Sequence, residues 1–418
     1  MNDINQIYQK FGKNICLSPF IGAFYQSNDQ IPQSQSYVPD STVRPCCVIN
    51  DYQKWKVLDN NIENSRNSTI WKSLRQGFLD GRMNEMKDCS LCILNEKTGA
   101  SSTRIESNRF FAEHLNIDII KEIDNIVANN NEVVDIKALD YYPSNYCNYS
   151  CVMCTGGASS QRLTYEIKMY QSNLKTVINE TTEDFFKILD QVNLIKFTGG
   201  ETVLQSQVHD VVDYLIEKDL AKNVTIMLLT NASLSVAKHM DKFSKFRNII
   251  YGISIDGTDD IIEYQRRGCK WETVEQNALE LINHKSISTS INHVLTAINV
   301  LNFIDFVAWL HQHQVNQGTS ITISPVYWFE HLGQSALPPE LKSLALARLY
   351  QGRTQYADTW YVKLINQVIG IVEQAEFNPD HHRRFIDYIK KEDSVSARSL
   401  ATCVPEWTPY FGTYPNTS

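Results

Sequence analysis

The chain lacks any apolar run of the roughly 18 residues that a membrane-crossing helix needs. Its first fourteen residues, MNDINQIYQKFGKN, lack the apolar core of a secretory signal. Neither a membrane span nor export is therefore expected. Basic charge is also short: 39 Lys and Arg stand against 47 Asp and Glu, a formal net charge of −8. A general grip on nucleic-acid phosphates needs clustered Lys and Arg, so that class of partner is set aside. Also missing are a Walker-type phosphate loop, a Ser-His-Asp spacing that stands out, a repeat beyond strand–helix alternation, and any low-complexity tract. No separate peptide-recognition domain is apparent.

What is present is 418 residues, 43% hydrophobic and 21% charged, an ordinary balance for a globular protein large enough for two or three cores. Ten cysteines stand out. The expected location is the cytoplasm, where clustered cysteines more often bind metal or do redox work than form disulfides.

From about residue 132 the chain alternates apolar strands with amphipathic helices. The predicted strands are 133–142, 192–198, 224–230, 249–256, 289–297 and 320–328. Between them, VHDVVDYLIEKDL puts Val208, Val211, Val212 and Leu215 on one helical face, and ETVEQNALELINH and LNFIDFVAWLHQH behave likewise. Alternation of this kind predicts a parallel sheet with right-handed crossovers. Six units without a seventh predict an open or partial (β/α)6 barrel, with chemistry at the carboxyl ends of the strands. Residues 1–110 follow another rhythm, and their cysteines at 16, 46, 47, 89 and 92 suggest a small metal-tied domain. The expected organisation is thus an N-terminal domain over 1–110, a helical linker over 111–131, the barrel over 132–335 and a helical extension over 336–418. In the extension, Pro338 and Pro339 suit a first helical turn.

Directly after the first predicted barrel strand lies NYCNYSCVMC, with Cys147, Cys151 and Cys154 spaced C-x3-C-x2-C. Thiolates are soft ligands suited to zinc or iron–sulfur clusters. Three of them on a four-iron cube leave one iron open, whereas a structural zinc site closes all four positions. A zinc knuckle, or no metal, is the plain alternative.

This loop at the end of strand one of a six-unit barrel resembles the radical S-adenosylmethionine (SAM) superfamily. The resemblance implies a [4Fe–4S] cluster whose free iron chelates SAM. Reduction would then cleave the C–S bond to a 5′-deoxyadenosyl radical that takes hydrogen from a substrate. The family commonly has an aromatic residue before the third cysteine; here it is Met153.

Other strand ends add to the likeness, which spans about 133–330. Gly199, Gly200 and Glu201 follow strand two. Two glycines allow close backbone approach, and the group resembles the motif that binds the amino group of SAM, although a plain tight turn reads the same way. Thr230 and Asn231 resemble a TNG-type turn, with Ala232 in place of glycine. Ser254 and Asp256 share a strand face, and resemble the family's ribose contacts; an N-cap is the alternative. Asn299 and Val326, after strands five and six, stand as further SAM contacts, the latter toward adenine.

In the N-terminal region, RPCC and the pair Cys89-x2-Cys92 resemble a twitch domain, a shortened SPASM domain. That implies an auxiliary [4Fe–4S] cluster on Cys16, Cys46, Cys89 and Cys92. Cys47 is an alternative to Cys46, and zinc an alternative metal. Ile70, Trp71, Leu74 and Phe78 read as a packed helix. Cys269 and Cys403 read as small hydrophobes, His381 and His382 as a solvated loop, and Arg266 or Arg267 as a group facing the substrate or the SAM carboxylate, or as part of a surface ion pair.

The expected function is a radical SAM enzyme acting on a peptide or amino-acid-derived substrate, with a flavodoxin- or ferredoxin-type electron donor. No residue is assigned to catalysis on the substrate itself. A non-enzymatic iron–sulfur carrier or redox sensor, and a zinc-stabilised metabolite-binding protein, are the alternatives.

Overall fold

A computed structural model describes residues 3–26, 42–49, 52–55, 57, 61–97, 101–133, 135–170, 183–326 and 329–412. Its strands are β1 (Gly22–Gln26), β2 (Thr42–Arg44), β3 (Ala138–Tyr142), β4 (Ser150–Cys151), β5 (Leu194–Phe197), β6 (Thr225–Thr230), β7 (Asn248–Ser254), β8 (Arg266–Arg267), β9 (Ser288–Leu295) and β10 (Ser320–Pro325). By contacts the chain divides into two units. One comprises 1–146, 175–228 and 239–250, and the other 147–174, 229–238 and 251–418.

The first unit carries a parallel ladder. β1 pairs with β3, β3 with β5, and β5 with residues Thr225–Leu228 of β6. β2 joins β1 antiparallel. The apolar positions of these strands are buried; Leu139, Ile195, Phe197, Ile226 and Leu228 are at most 1% exposed. The helix Ser206–Glu217 buries Val208, Val211, Val212 and Leu215, the face its periodicity predicts. The second unit pairs β9 with β10 in parallel. A separate two-stranded ribbon joins β4 to β8, antiparallel.

The fold is therefore α/β and mostly parallel, of the partial-barrel type, and all six expected barrel strands are present as β3, β5, β6, β7, β9 and β10. They are shorter than the apolar runs. Val134, in the first run, and Tyr327 and Trp328, in the last, lie outside the described residues.

The N-terminal segment departs from the expected separation. β1 extends the barrel ladder, with Ala23 opposite Leu139, so the division of contacts falls after Tyr146 rather than near 110. Buried arginines tie this segment in. Arg66 donates to the carbonyls of Asp135, Phe20 and Gly22, and Arg75 to those of Asn131, Pro19 and Arg66. Each guanidinium thus satisfies several backbone carbonyls at once. The expected linker is two helices, Thr103–His114 and Ile119–Ala128.

Pro339 opens the helix Pro339–Gln355. Val362–Gln374 and Pro379–Ser394 follow. Among the described residues, no helix is long and apolar enough to cross a membrane.

Candidate active site

The three-cysteine segment begins the second unit. The β4–β8 ribbon sets Cys151 opposite Arg266, and Val152 N–H donates to Gln265 O at 2.8 Å. A turn closes it, with Cys154 N–H donating to Cys151 O at 3.1 Å. Ser160 Oγ bonds both the N–H and the carbonyl of Cys147, each at 3.2 Å. Ser159 Oγ donates to Tyr149 O at 2.5 Å. Tyr149 N–H points at Cys147 Sγ, 3.5 Å away, a contact that suits a sulfur carrying negative charge.

Burial raises the Cys151 and Cys154 thiols, and the neighbouring Cys147 adds to both. Cys154 is pushed up to about 11, and Cys151 rises further. They would be protonated when alone and would release protons to a metal. Among the described residues, no three His, Cys, Asp or Glu side chains gather tightly enough to hold a single ion. A cubane asks for something looser, since each cysteine meets a different iron. Three thiols on one braced loop, with a backbone donor at one sulfur, fit that demand.

Gly199, Gly200 and Glu201 belong to the first unit, where they pack on the residues just before Cys147. Gly199 sits at φ +104°, and a Cβ there would lie 2.5 Å from Ser144 O. A Cβ on Gly200 would lie 2.0 Å from Tyr146 O. No residue but glycine fits either position. Gly200 N–H donates to Ser144 O and Glu201 N–H to Tyr146 O. Glu201 is 1% exposed.

The remaining expected SAM contacts lie in the second unit. Asn231 reaches the cysteine segment: its Nδ2 donates to Asn148 Oδ1 at 2.9 Å, and Asn148 in turn donates to Ser233 Oγ. Thr230 Oγ1 accepts from Ala232 N–H. Ala232 itself stands at φ +54°, in the left-handed region where the resemblance expects glycine.

Ser254 ends β7. Asp256, fully buried, spends both carboxylate oxygens on the protein. Oδ1 accepts from Val294 N–H at 2.8 Å, and Oδ2 faces Arg266 Nε at 2.7 Å. Asn299 is committed in the same way, donating to the carbonyls of Asp256 and Val294 and accepting from Thr296 N–H. Val326 continues the chain beyond β10, its N–H on Leu295 O. Asp256 and Asn299 thus brace strand ends in this structure. The arginines of QRRG are not a surface pair: Arg266 and Arg267 are 11% and 6% exposed and form buried ion pairs with Asp256 and Glu392. Asn148 is the contact that sequence reasoning missed, and no spacing marks it.

The second cysteine group is wholly within the first unit. Cys16, Cys46, Cys89 and Cys92 line one cavity with Val48, Ile49, Phe78 and Met83. Burial raises all four thiols, and Cys16 reaches about 11. Cys46 is close enough to Cys16 and Cys92 to feel their charge, whereas Cys47 faces Lys196 and Asp140. Arg104 fixes the walls. It donates to Lys13 O and Ile15 O, beside Cys16, and pairs with Glu96 on the helix that carries Cys92. Four thiols around one cavity, too loosely gathered for a single ion, fit the wider spacing of a cubane.

Residues 141–310 match the Radical SAM superfamily. Solved structures with a partial likeness to the chain include native anSMEcpe with bound AdoMet, at 18% identity over 60% of this chain and 65% of that one, TM-score 0.39. Another is Streptococcus suis SuiB bound to S-adenosylmethionine, at 13% identity over 71% of this chain and 64% of that one, TM-score 0.34. A third, TYW1 with a lysine–pyruvate adduct bound, is 18% identical over 50% of this chain and 72% of that one, TM-score 0.30. The chain spans slightly less than two thirds of anSMEcpe and SuiB. No curated protein matches it.

Proposed function

From the premise that residues 141–310 are a domain of the radical SAM superfamily, we propose that this chain is a radical SAM enzyme with an auxiliary iron–sulfur cluster. The observation that carries the reading is the braced segment with Cys147, Cys151 and Cys154 directly after β3. Those cysteines would hold a [4Fe–4S] cluster. When bound with SAM, that cluster supplies a one-electron cleavage of the sulfonium, yielding a 5′-deoxyadenosyl radical that abstracts hydrogen from the substrate.

The chain's own residues bind and orient. In this reading Gly199 and Gly200 let the backbone approach closely, and Glu201 takes the ammonium of SAM. Thr230 and Asn231 support the cysteine segment and the methionine moiety. Ser254 is the ribose contact, while Asp256 acts on the ribose only if its pair with Arg266 opens. Asn299 shapes the pocket floor, and Val326 meets the adenine.

For the auxiliary cluster we assign Cys16, Cys46, Cys89 and Cys92, and prefer Cys46 to Cys47 because Cys46 lines their cavity.

The substrate class we propose is a peptide or an amino-acid-derived metabolite. A polar substrate is supported by one row across the first unit's sheet. Registers align Arg44, Phe24, Asp140, Lys196 and Met227. Lys196 pairs with Asp140 at 3.1 Å, and Thr198 Oγ1 donates to the same carboxylate. Charges on a sheet face need a polar partner, and such a row can orient a charged group. A flavodoxin- or ferredoxin-type donor is the partner this chemistry requires. The thiolate ligands call for a reducing compartment, for which we propose the cytoplasm.

The test is to supply SAM and dithionite to anaerobically reconstituted protein and assay 5′-deoxyadenosine. Formation that disappears in Cys151→Ala supports the reading. Iron uptake without SAM cleavage, with and without candidate peptides, favours an electron carrier. Failure to take up iron at all, with zinc bound instead, sinks it.

A further inference from the structure

The C-terminal helix Pro379–Ser394 sends a tyrosine and a glutamate into the ground around the cysteine segment. Tyr388 Oη donates to Val152 O at 2.6 Å, between the second and third cysteines. Arg162, on the helix that follows the segment, donates to Tyr388 Oη at 2.6 Å. The same guanidinium grips Glu392 with both Nη atoms, at 3.0 and 2.5 Å. Glu392 also pairs with Arg267, whose strand position lies opposite Ser150. On the far side, Arg162 Nε faces Glu166 at 3.4 Å, and Glu166 accepts from Gly156 N–H at 3.1 Å, two residues past Cys154. Glu392 is 0% and Arg162 1% exposed.

A buried ionic triad is a weak stabiliser. Its desolvation cost is several kcal/mol per ion, and apolar residues of similar volume often do as well or better. What the triad does supply is fixed geometry and a fixed charge pattern. It touches the cysteine segment at Ser150 through the ribbon, at Val152 through Tyr388, and at Gly156 through Glu166.

We infer that Glu392 and Tyr388 are positioning residues: through Arg162 and Arg267 they clamp the Cys147–Cys154 segment and set the charge beside the cluster it would hold. The inference rests on the proposed function for its redox part, while the clamp stands on geometry alone. Glu392→Gln would leave two buried guanidiniums without their shared carboxylate. Added positive charge favours the reduced cluster, so the midpoint potential rises. Tyr388→Phe removes the bond to Val152 and changes no charge, so the segment loosens and the potential stays.

The experiment uses the full chain in two states. In metal-free protein, iodoacetamide labelling of Cys151 and Cys154 is followed by mass spectrometry, with buried Cys269 as the control. Labelling is expected several-fold faster in Tyr388→Phe, with Cys269 unchanged. In reconstituted protein, EPR-monitored titration is expected to show a positive shift in Glu392→Gln of about tenfold in the reduction equilibrium, ~59 mV for one electron, and none in Tyr388→Phe. Unchanged labelling in Tyr388→Phe overturns the clamp, and an unchanged potential in Glu392→Gln overturns the charge role. If Glu392→Gln does not fold, Glu392→Asp takes its place: it keeps the charge, so an unchanged potential with faster labelling supports the inference, and unchanged labelling overturns it. Wild-type protein that takes up no iron defeats the proposed function, while the labelling rates still decide the clamp.

Discussion

The two cysteine groups are built differently. Cys16, Cys46, Cys89 and Cys92 line one cavity whose wall mixes apolar Val48, Ile49, Phe78, Met83 and Leu91 with Ser18, Asp88, Thr103 and Arg104. Around Cys147, Cys151 and Cys154 the supports are ionic and amide groups: Arg266 with Asp256, Arg162 with Glu392, and Asn148 with Asn231. Four thiolates complete a cubane and suit an electron-transfer centre, while three leave an iron open for a ligand. An open centre needs charged and hydrogen-bonding groups that hold its loop while the fourth position exchanges ligands.

Breaking the open centre has the largest expected effect. Cys154→Ala should lower 5′-deoxyadenosine formation by at least about a hundredfold, since the electron path to SAM is lost. The four-cysteine cavity should keep its own iron, about half of the total for two cubanes. Retained activity in an anaerobic assay would contradict the assignment.

The closed centre is sharpened by the neighbouring pair. Cys46→Ser should lose about four irons per chain, the content of one cubane, whereas Cys47→Ser should lose none. The reverse result would exchange the two ligands. Zinc in the cavity after careful iron reconstitution would change the metal but not the ligand set.

The turn before the open centre is sensitive to a single methyl. Gly200→Ala sets a Cβ against the Tyr146 carbonyl, which is backbone and cannot rotate away. A loss of at least about 2 kcal/mol is expected, the range for overpacking, read as a lower urea midpoint. Full stability would mean that the segment before Cys147 moves freely.

The smallest effect concerns Ala232, at φ +54°. Ala232→Gly removes a left-handed strain of roughly 1–2 kcal/mol and adds unfolded-state entropy worth about 0.4–1 kcal/mol. A gain between about 0 and 1.6 kcal/mol in chemical denaturation is the expected balance of those terms. A clear loss would show that the Ala232 methyl, 1% exposed, contributes more by packing than its backbone costs.

The open centre is legible in the sequence because its signals are local. The cysteine spacing, the glycine pair and the apolar runs of the barrel strands all lie within short windows. The helix Ser206–Glu217 is readable for the same reason. What escapes depends on pairing over distance. β1 takes its place beside β3, a partner more than a hundred residues away, and β2 reaches the sheet only through β1. Arg162, Arg267 and Glu392 look like surface charges in the sequence, because burial of a charge is decided by what surrounds it. Asp256 reads as a ribose contact, and its pair with Arg266 is likewise invisible to spacing. The choice between Cys46 and Cys47 needs the cavity.

The most direct test of the account is low-temperature EPR of the dithionite-reduced protein, recorded with and without SAM. The account predicts a [4Fe–4S]+ signal whose g-values shift when SAM is added, and which is absent when Cys147, Cys151 and Cys154 are all replaced by alanine. A wild-type spectrum in which no part of the reduced-cluster signal responds to SAM, or a SAM-responsive signal that survives in the triple variant, would contradict it; a SAM-independent signal from the four-cysteine centre is expected in both.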